Sequence, residues 1–105
     1  MIFYDDFLKI ELCIGTVLTA EKILDSAKLI KLLVSIGTET RQIIAGIGKT
    51  YEPESLVGRQ VAIVKNLEPR TLMGLESSGM VLAASDGSPV LLVPDRPVLP
   101  GTKIQ

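Results

Sequence analysis

Residues 9–23, KIELCIGTVLTAEKI, place Ile10, Leu12, Ile14, Thr16, Leu18 and Ala20 at alternate positions. A period of two belongs to an extended chain, whose successive side chains face opposite ways, and not to an amphipathic helix. The segment therefore predicts one long strand. Gly15 interrupts it, and a glycine inside a strand marks a bulge or a sharp curl. Cys13 falls between Leu12 and Ile14, on the face opposite theirs, and reads as a packed thiol because no neighbouring cation is fixed beside it to lower its pKa.

The rest of the chain continues the β pattern. In residues 28–36, KLIKLLVSI, one face carries Ile30, Leu32, Val34 and Ile36, and the other carries Leu29, Lys31, Leu33 and Ser35. Residues 37–40 turn the chain, and residues 41–47 return as a third strand. YEPESLVG (51–58) has an early proline and a closing glycine, the punctuation of one or two helical turns. Residues 59–66 form a fourth strand with Val61 and Ile63 on one side. NLEPRTLMG reads as a loop, residues 78–85 as a fifth strand, and Asp86-Gly87-Ser88 as the turn into PVLLVP. A short helix between the third and fourth of five strands is the layout of an OB-fold, an all-β barrel with the helix plugging one end. Aromatic residues make up 4% of the chain and hydrophobic residues 47%, so Val, Ile and Leu must build the core. The apolar residues at both ends, among them Ile2, Phe3, Phe7, Val98, Leu99 and Ile104, exceed what one barrel needs and predict a covering partner.

At 105 residues the chain is expected to be one domain, 1–105, and its start at Met1 suggests an independent chain. One cysteine excludes an internal disulfide, and no apolar run reaches about 18 residues, so a soluble, cytoplasmic protein away from membranes is expected. Catalytic options are few. Histidine is absent, which removes the commonest general base and metal ligand, and one cysteine alone builds no thiolate metal site. Ser77 and Ser78 lack the glycines of a nucleophile elbow, and Asp5 and Asp6 lie in a terminal stretch expected to be too flexible for acid–base work. No catalytic residue, metal or cofactor is predicted.

Two motifs point to phosphate. IIAGIGKT (43–50) ends like a P-loop, but the required earlier glycine is Ile43, and Pro53 falls within the first turns of the helix that should begin at the lysine. The P-loop reading fails on both counts. The second motif is KNLEPRTLMGLESSGM (65–80). Asn66, Pro69 and Gly74 fix its turns, Lys65 and Arg70 supply cations, and Ser77, Ser78 and the amides near Gly79 supply donors suited to phosphate and ribose. The same spacing fits an ordinary solvated loop equally well. Net charge is −1, but residues 27–75 hold seven bases and four acids, net +3, between a −3 start and a −1 end.

The runs DDFLKIELCIGTVLTAEK, AKLIKLLVSIG, RQIIAGIGKTY, PESLVGR, NLEPRTLMGLESSGM and LAASDG resemble the tRNA-binding domain family. That family includes the C-terminal appendix of bacterial methionyl-tRNA synthetases, the beta subunit of split synthetases and freestanding relatives. The resemblance spans about residues 5–104, and its Asn-Leu-x-Pro-(Lys/Arg) loop followed by Ser-x-Gly-Met is specific. It implies a noncatalytic, structure-specific module that grips the outside of tRNA by shape at the elbow. It also implies a homodimer built by the segments flanking the barrel, and a methionyl-tRNA synthetase catalytic subunit as partner. The RNA-contact positions it implies are Lys31, Lys49, Asn66, Arg70 and Ser77, with Ser78 beside them. Relatives usually carry lysine at the positions of Glu68 and Thr71, which weakens the expected grip. Some relatives with this barrel are secretion-related chaperones, so a peptide-binding module is the alternative.

Overall fold

The computed structural model describes residues 1–105. The strand foreseen over 9–23 is β1 (Leu12–Lys22), followed by β2 (Ile30–Ser35), β3 (Thr40–Ala45), the short helix α2 (Pro53–Leu56) and β4 (Gln60–Val64). A brief helix α1 (Tyr4–Leu8) precedes them. After β4 come the pairs β5 (Arg70–Leu72) with β6 (Leu75–Ser77), β7 (Met80–Val81), the pair β8 (Ala83–Ser85) with β9 (Pro89–Leu91), and a terminal β10 (Lys103–Ile104). The main sheet runs β3-β2-β1-β4-β7, all antiparallel, and β3 packs back against β7 to bring the barrel almost to closure. This is the five-stranded OB-fold that the sequence predicts, with α2 between its third and fourth strands.

The long β1 makes this possible because it serves two neighbours. Its first half pairs with β4, from Leu12↔Val64 to Thr16↔Gln60, and its second half pairs with β2, from Thr16↔Ser35 to Lys22↔Ile30. The register shift lies between Val17 and Thr19, two residues beyond the glycine expected to carry it. Gly15 serves close approach instead: a Cβ there would collide with Val34 Cγ1 on the neighbouring strand β2. Its buried neighbours also correct the facing of β1. Cys13 and Val17 enter the core, whereas Ile10 and Leu18 are each 46% exposed. The alternation was real but changes phase at the register shift: Cys13, Gly15 and Val17 face the core before it, and Ala20 packs against the core after it.

Ile30, Leu32, Val34 and Ile36 are all buried, as their spacing predicts, and join Ile43, Ala45, Val61, Ile63 and Leu56 of α2 in one core cluster. Gly58, at φ 86, ends α2 as expected of a glycine stop. The fifth strand foreseen over 78–85 is divided. After β7 the chain leaves β4 at Leu82, whose N–H donates to Ala62 O (2.9 Å), and β8 folds back on β9 through the predicted Asp86-Gly87-Ser88 turn. Asp5 and Asp6 occupy the first turn of α1, where Asp6 Oδ2 accepts from Phe3 N–H (3.1 Å). The expectation of a flexible start is thus replaced by a capped helical turn. No helix is long and apolar enough to cross a membrane.

Candidate nucleic-acid interface

The segment read as a loop over 66–74 is a two-stranded hairpin. Arg70, Thr71 and Leu72 pair with Ser77, Glu76 and Leu75, and the two turn residues, Met73 at φ 51 and Gly74 at φ 78, both have positive φ. Two such residues define the hairpin turn whose twist matches its strands. The signal is hidden in the sequence because methionine stands where asparagine or aspartate usually does.

The hairpin is fixed onto β3 by a set of satisfied polar contacts. Gln42 Nε2 donates to Glu76 O (2.9 Å), and Ser78 N–H donates to Gln42 O (2.8 Å). Ser77 Oγ accepts from Ile44 N–H (3.0 Å) and donates to Gly79 O (3.1 Å). Arg41 Nη1 donates to Lys65 O (2.9 Å) and Ser78 O (3.2 Å), with Nε turned to Glu39. Asn66 lies just past β4: Nδ2 donates to Lys9 O (2.7 Å) and Oδ1 accepts from Glu11 N–H (2.8 Å). Ser77 is buried and its hydroxyl is fully used, and both ends of the Asn66 amide bind the backbone. Ser77 holds the hairpin, Asn66 ties the end of β4 to the start of β1, and both have little left for a ligand. Arg41 and Gln42, which no sequence motif singles out, also hold the hairpin.

The remaining site residues lie at or beyond β2, β3 and the hairpin. Lys31 is opposite Ile44, Ile44 N–H meets Ser77, and Ser77 is opposite Arg70. Three strand-to-strand steps separate the two cations, about 15 Å at ordinary sheet spacing. Arg70 is exposed and forms no ion pair, and Lys49, in the turn after β3, is likewise exposed and unpaired. Lys31 is engaged: its Nζ is 2.7 Å from Glu21 Oε1 on the facing strand. Ser78 Oγ is 3.5 Å from Glu76 Oε1.

Lys28 joins this set although neither motif contains it. Gly48 N–H donates to Lys28 O (2.7 Å), bringing the segment before β2 against the GIGKT turn. A Cβ at Gly48 would stand 2.9 Å from Lys28 O, and one at Gly46 would stand 2.9 Å from Lys28 Cε. Gly48 is thus required by the close passage of the Lys28 backbone, whereas at Gly46 the flexible Lys28 side chain could move aside. Lys28 is exposed and unpaired, next to the turn that carries Lys49. Lys28 and Lys49 at this turn offer point charges, and Arg70 on the hairpin offers one flat guanidinium, to separate phosphates.

A second feature lies at the chain ends. Tyr4, Phe7, Leu8, Ile10, Cys13 and Ile104 border an open cavity of about 330 Å³ between α1, the start of β1 and β10. Burial pushes the Cys13 thiol above its ordinary pKa, against the pull of the Lys65 and Arg41 charges. With 4% exposure, Cys13 is expected to react with a thiol reagent at pH 8 only slowly in the native protein and promptly in denaturant. Equal rates would show that the thiol is accessible.

The fold and the edge define an OB-fold module with a cationic rim and a rigidly docked hairpin, a class of nucleic-acid-binding barrel. Residues 12–103 match the tRNA_bind family, described as "Putative tRNA binding domain", and the chain belongs to that family. It is 51% identical over 105 residues to the methionine–tRNA ligase of Methanosphaerula palustris, covering 100% of this chain and 16% of the ligase. The chain therefore spans about a sixth of the length of the curated relatives it matches. Among solved structures it is similar to a MetRS related protein from Pyrococcus horikoshii, with TM-score 0.93 and 36% identity, covering 100% of this chain and 98% of that one. It is also similar to the chaperone CsaA from Bacillus anthracis, with TM-score 0.91 and 37% identity, covering 100% of this chain and 99% of that one.

Proposed function

We propose that this chain binds folded tRNA from outside by shape, without catalysing a reaction, as a homodimer that raises the tRNA affinity of a methionyl-tRNA synthetase. The observation that carries this reading is the set of exposed, unpaired cations, Lys28 and Lys49 at the turn after β3 and Arg70 on the docked hairpin, on a barrel of the tRNA-binding family. Lys31 and Ser78 complete the contact set, Lys31 by exchanging Glu21 for phosphate. Asn66 and Ser77 act as positioning residues, because their polar atoms are occupied within the fold. Tethering tRNA beside a synthetase makes the second contact intramolecular, so a weak grip is enough to help.

The homodimer is supported by the apolar residues left open at the chain ends: Ile2, Phe3 and Tyr4 are 65%, 80% and 73% exposed, and Leu99 is 80% exposed. Sedimentation equilibrium is expected to give twice the 11.3 kDa protomer mass. Phe3→Asp should return the protomer and weaken tRNA binding, since each copy supplies half of the RNA surface. A wild-type protomer at micromolar concentration would remove the dimer from this reading.

The open, partly apolar cavity beside α1 favours a second reading, a peptide-binding module, in keeping with the name chaperone carried by the similar Bacillus anthracis structure. Apolar side chains of an extended peptide fit a space of that size and lining. On that reading, peptide binding persists at high salt while tRNA retention is absent or insensitive to salt.

A further inference from the structure

A second cleft, of about 360 Å³, opens where the 93–97 segment passes the start of β4. Arg59 and Arg96 line it together with Thr16, Gln60 and Asp95. Its walls are fixed. Gln60 Nε2 donates to Thr16 Oγ1 (3.0 Å) and to Val98 O (2.6 Å), and its Oε1 accepts from Val98 N–H (3.0 Å), which pins the C-terminal segment to the barrel. The Arg59 guanidinium lies 5.6 Å from the centre of the Tyr51 ring, and Tyr51 is itself held by Leu91 N–H donating to its hydroxyl (3.2 Å). A guanidinium held by its face keeps its edge donors for a planar or tetrahedral anion. Neither arginine is ion-paired, and Asp95 lies beyond salt-bridge distance of both.

The register places Thr16 and Gln60 of this cleft on the same face of the sheet as Lys31. Thr16 is opposite Gln60 on one side and Ser35 on the other, and Ser35 is opposite Thr40. Ser35 lies four residues along β2 from Lys31, on the same face, about 13 Å at the rise of a strand. Between the cleft and Lys31, the register stacks Thr40, Ser35 and Thr16, then Gln42, Leu33 and Thr19. Those two rows hold hydroxyls, one amide and one leucine, and no carboxylate. Two cationic ends joined by a neutral, donor-bearing surface fit a polyanion laid across the barrel better than a small ligand.

We infer that Arg59 and Arg96 form an additional phosphate-contact site, which takes a phosphodiester of the bound RNA at the opposite end of β2 from Lys28 and Lys49. This rests on the RNA-binding reading above. Asp95 opposes the site and limits its strength.

The test is filter binding of total tRNA over a salt series to the wild type, Arg59→Gln/Arg96→Gln, and the charge-keeping Arg59→Lys/Arg96→Lys. The Gln pair is expected to bind several-fold more weakly, with a log–log salt slope shallower by about 1.4 to 1.8, that is about 0.7 to 0.9 for each arginine withdrawn from phosphate. The Lys pair should recover most of the slope, and Asp95→Asn should bind more tightly than the wild type. A Gln pair that melts like the wild type and keeps its slope overturns the inference and leaves the RNA reading intact. A Lys pair as weak as the Gln pair also overturns it, because the effect would then come from Tyr51 packing and not from charge. Wild type without salt-dependent retention removes the RNA reading and this site together.

Discussion

Ile43→Ala is expected to lower the unfolding free energy by about 3 kcal/mol, the usual cost of an unfilled cavity left by a buried branched side chain. For a domain of this size the thermal midpoint should fall by roughly 15 °C. Ile43 is completely buried, and its Cδ1 lies 3.2 Å from where a Cβ on Gly79 would stand, so it supports both the core and the turn beneath Ser77 and Ser78. Loss of tRNA binding should therefore accompany loss of stability. Comparison within β1 sharpens the point. Val17 is 1% exposed and Leu18 is 46% exposed, so Val17→Ala should cost more than Leu18→Ala although the leucine is larger. Thermal melts of the three variants check this, and equal costs at 17 and 18 would contradict the inward face assigned to β1.

The triple variant Lys28→Gln/Lys49→Gln/Arg70→Gln is expected to lose most tRNA affinity at moderate salt while melting within a few degrees of the wild type, because none of the three side chains is ion-paired. Every cation withdrawn from a phosphate should flatten the log–log salt dependence by about 0.7 to 0.9. The loss should be uniform across tRNAs, since phosphate contacts position a protein without reading sequence. A gel-shift series in which one isoacceptor fails and others persist would contradict recognition by shape. Glu21→Gln, which frees Lys31 from its 2.7 Å ion pair, should shift affinity the opposite way.

Much of the barrel could be read from the residues. Period two in β2 identified its buried face residue by residue, and the glycine and proline punctuation bounded α2, because both signals are local. The facing of β1 was not local: it depended on the space beside Val34 on β2, which only Gly15 fits, and on the register shift after Val17, which brings Ala20 against the core. The 70–77 hairpin escaped because Met73 occupies a positive-φ position that its residue type does not announce. Within the site, Lys49 and Arg70 were legible as cations in constrained segments. That Ser77 and Asn66 are spent on the fold, and that Lys28 stands beside the GIGKT turn, depends on pairings over tens of residues that spacing does not encode.

A rigid cationic edge that grips RNA through its phosphates is the central claim. The most direct measurement is equilibrium binding of the wild-type protein to several purified tRNAs across a salt series, with the stoichiometry of the complex determined alongside. The expected result is a linear fall of log affinity with log salt, a common slope for every tRNA, and two protein chains per complex. Retention that ignores salt, or binding confined to one isoacceptor, would contradict it.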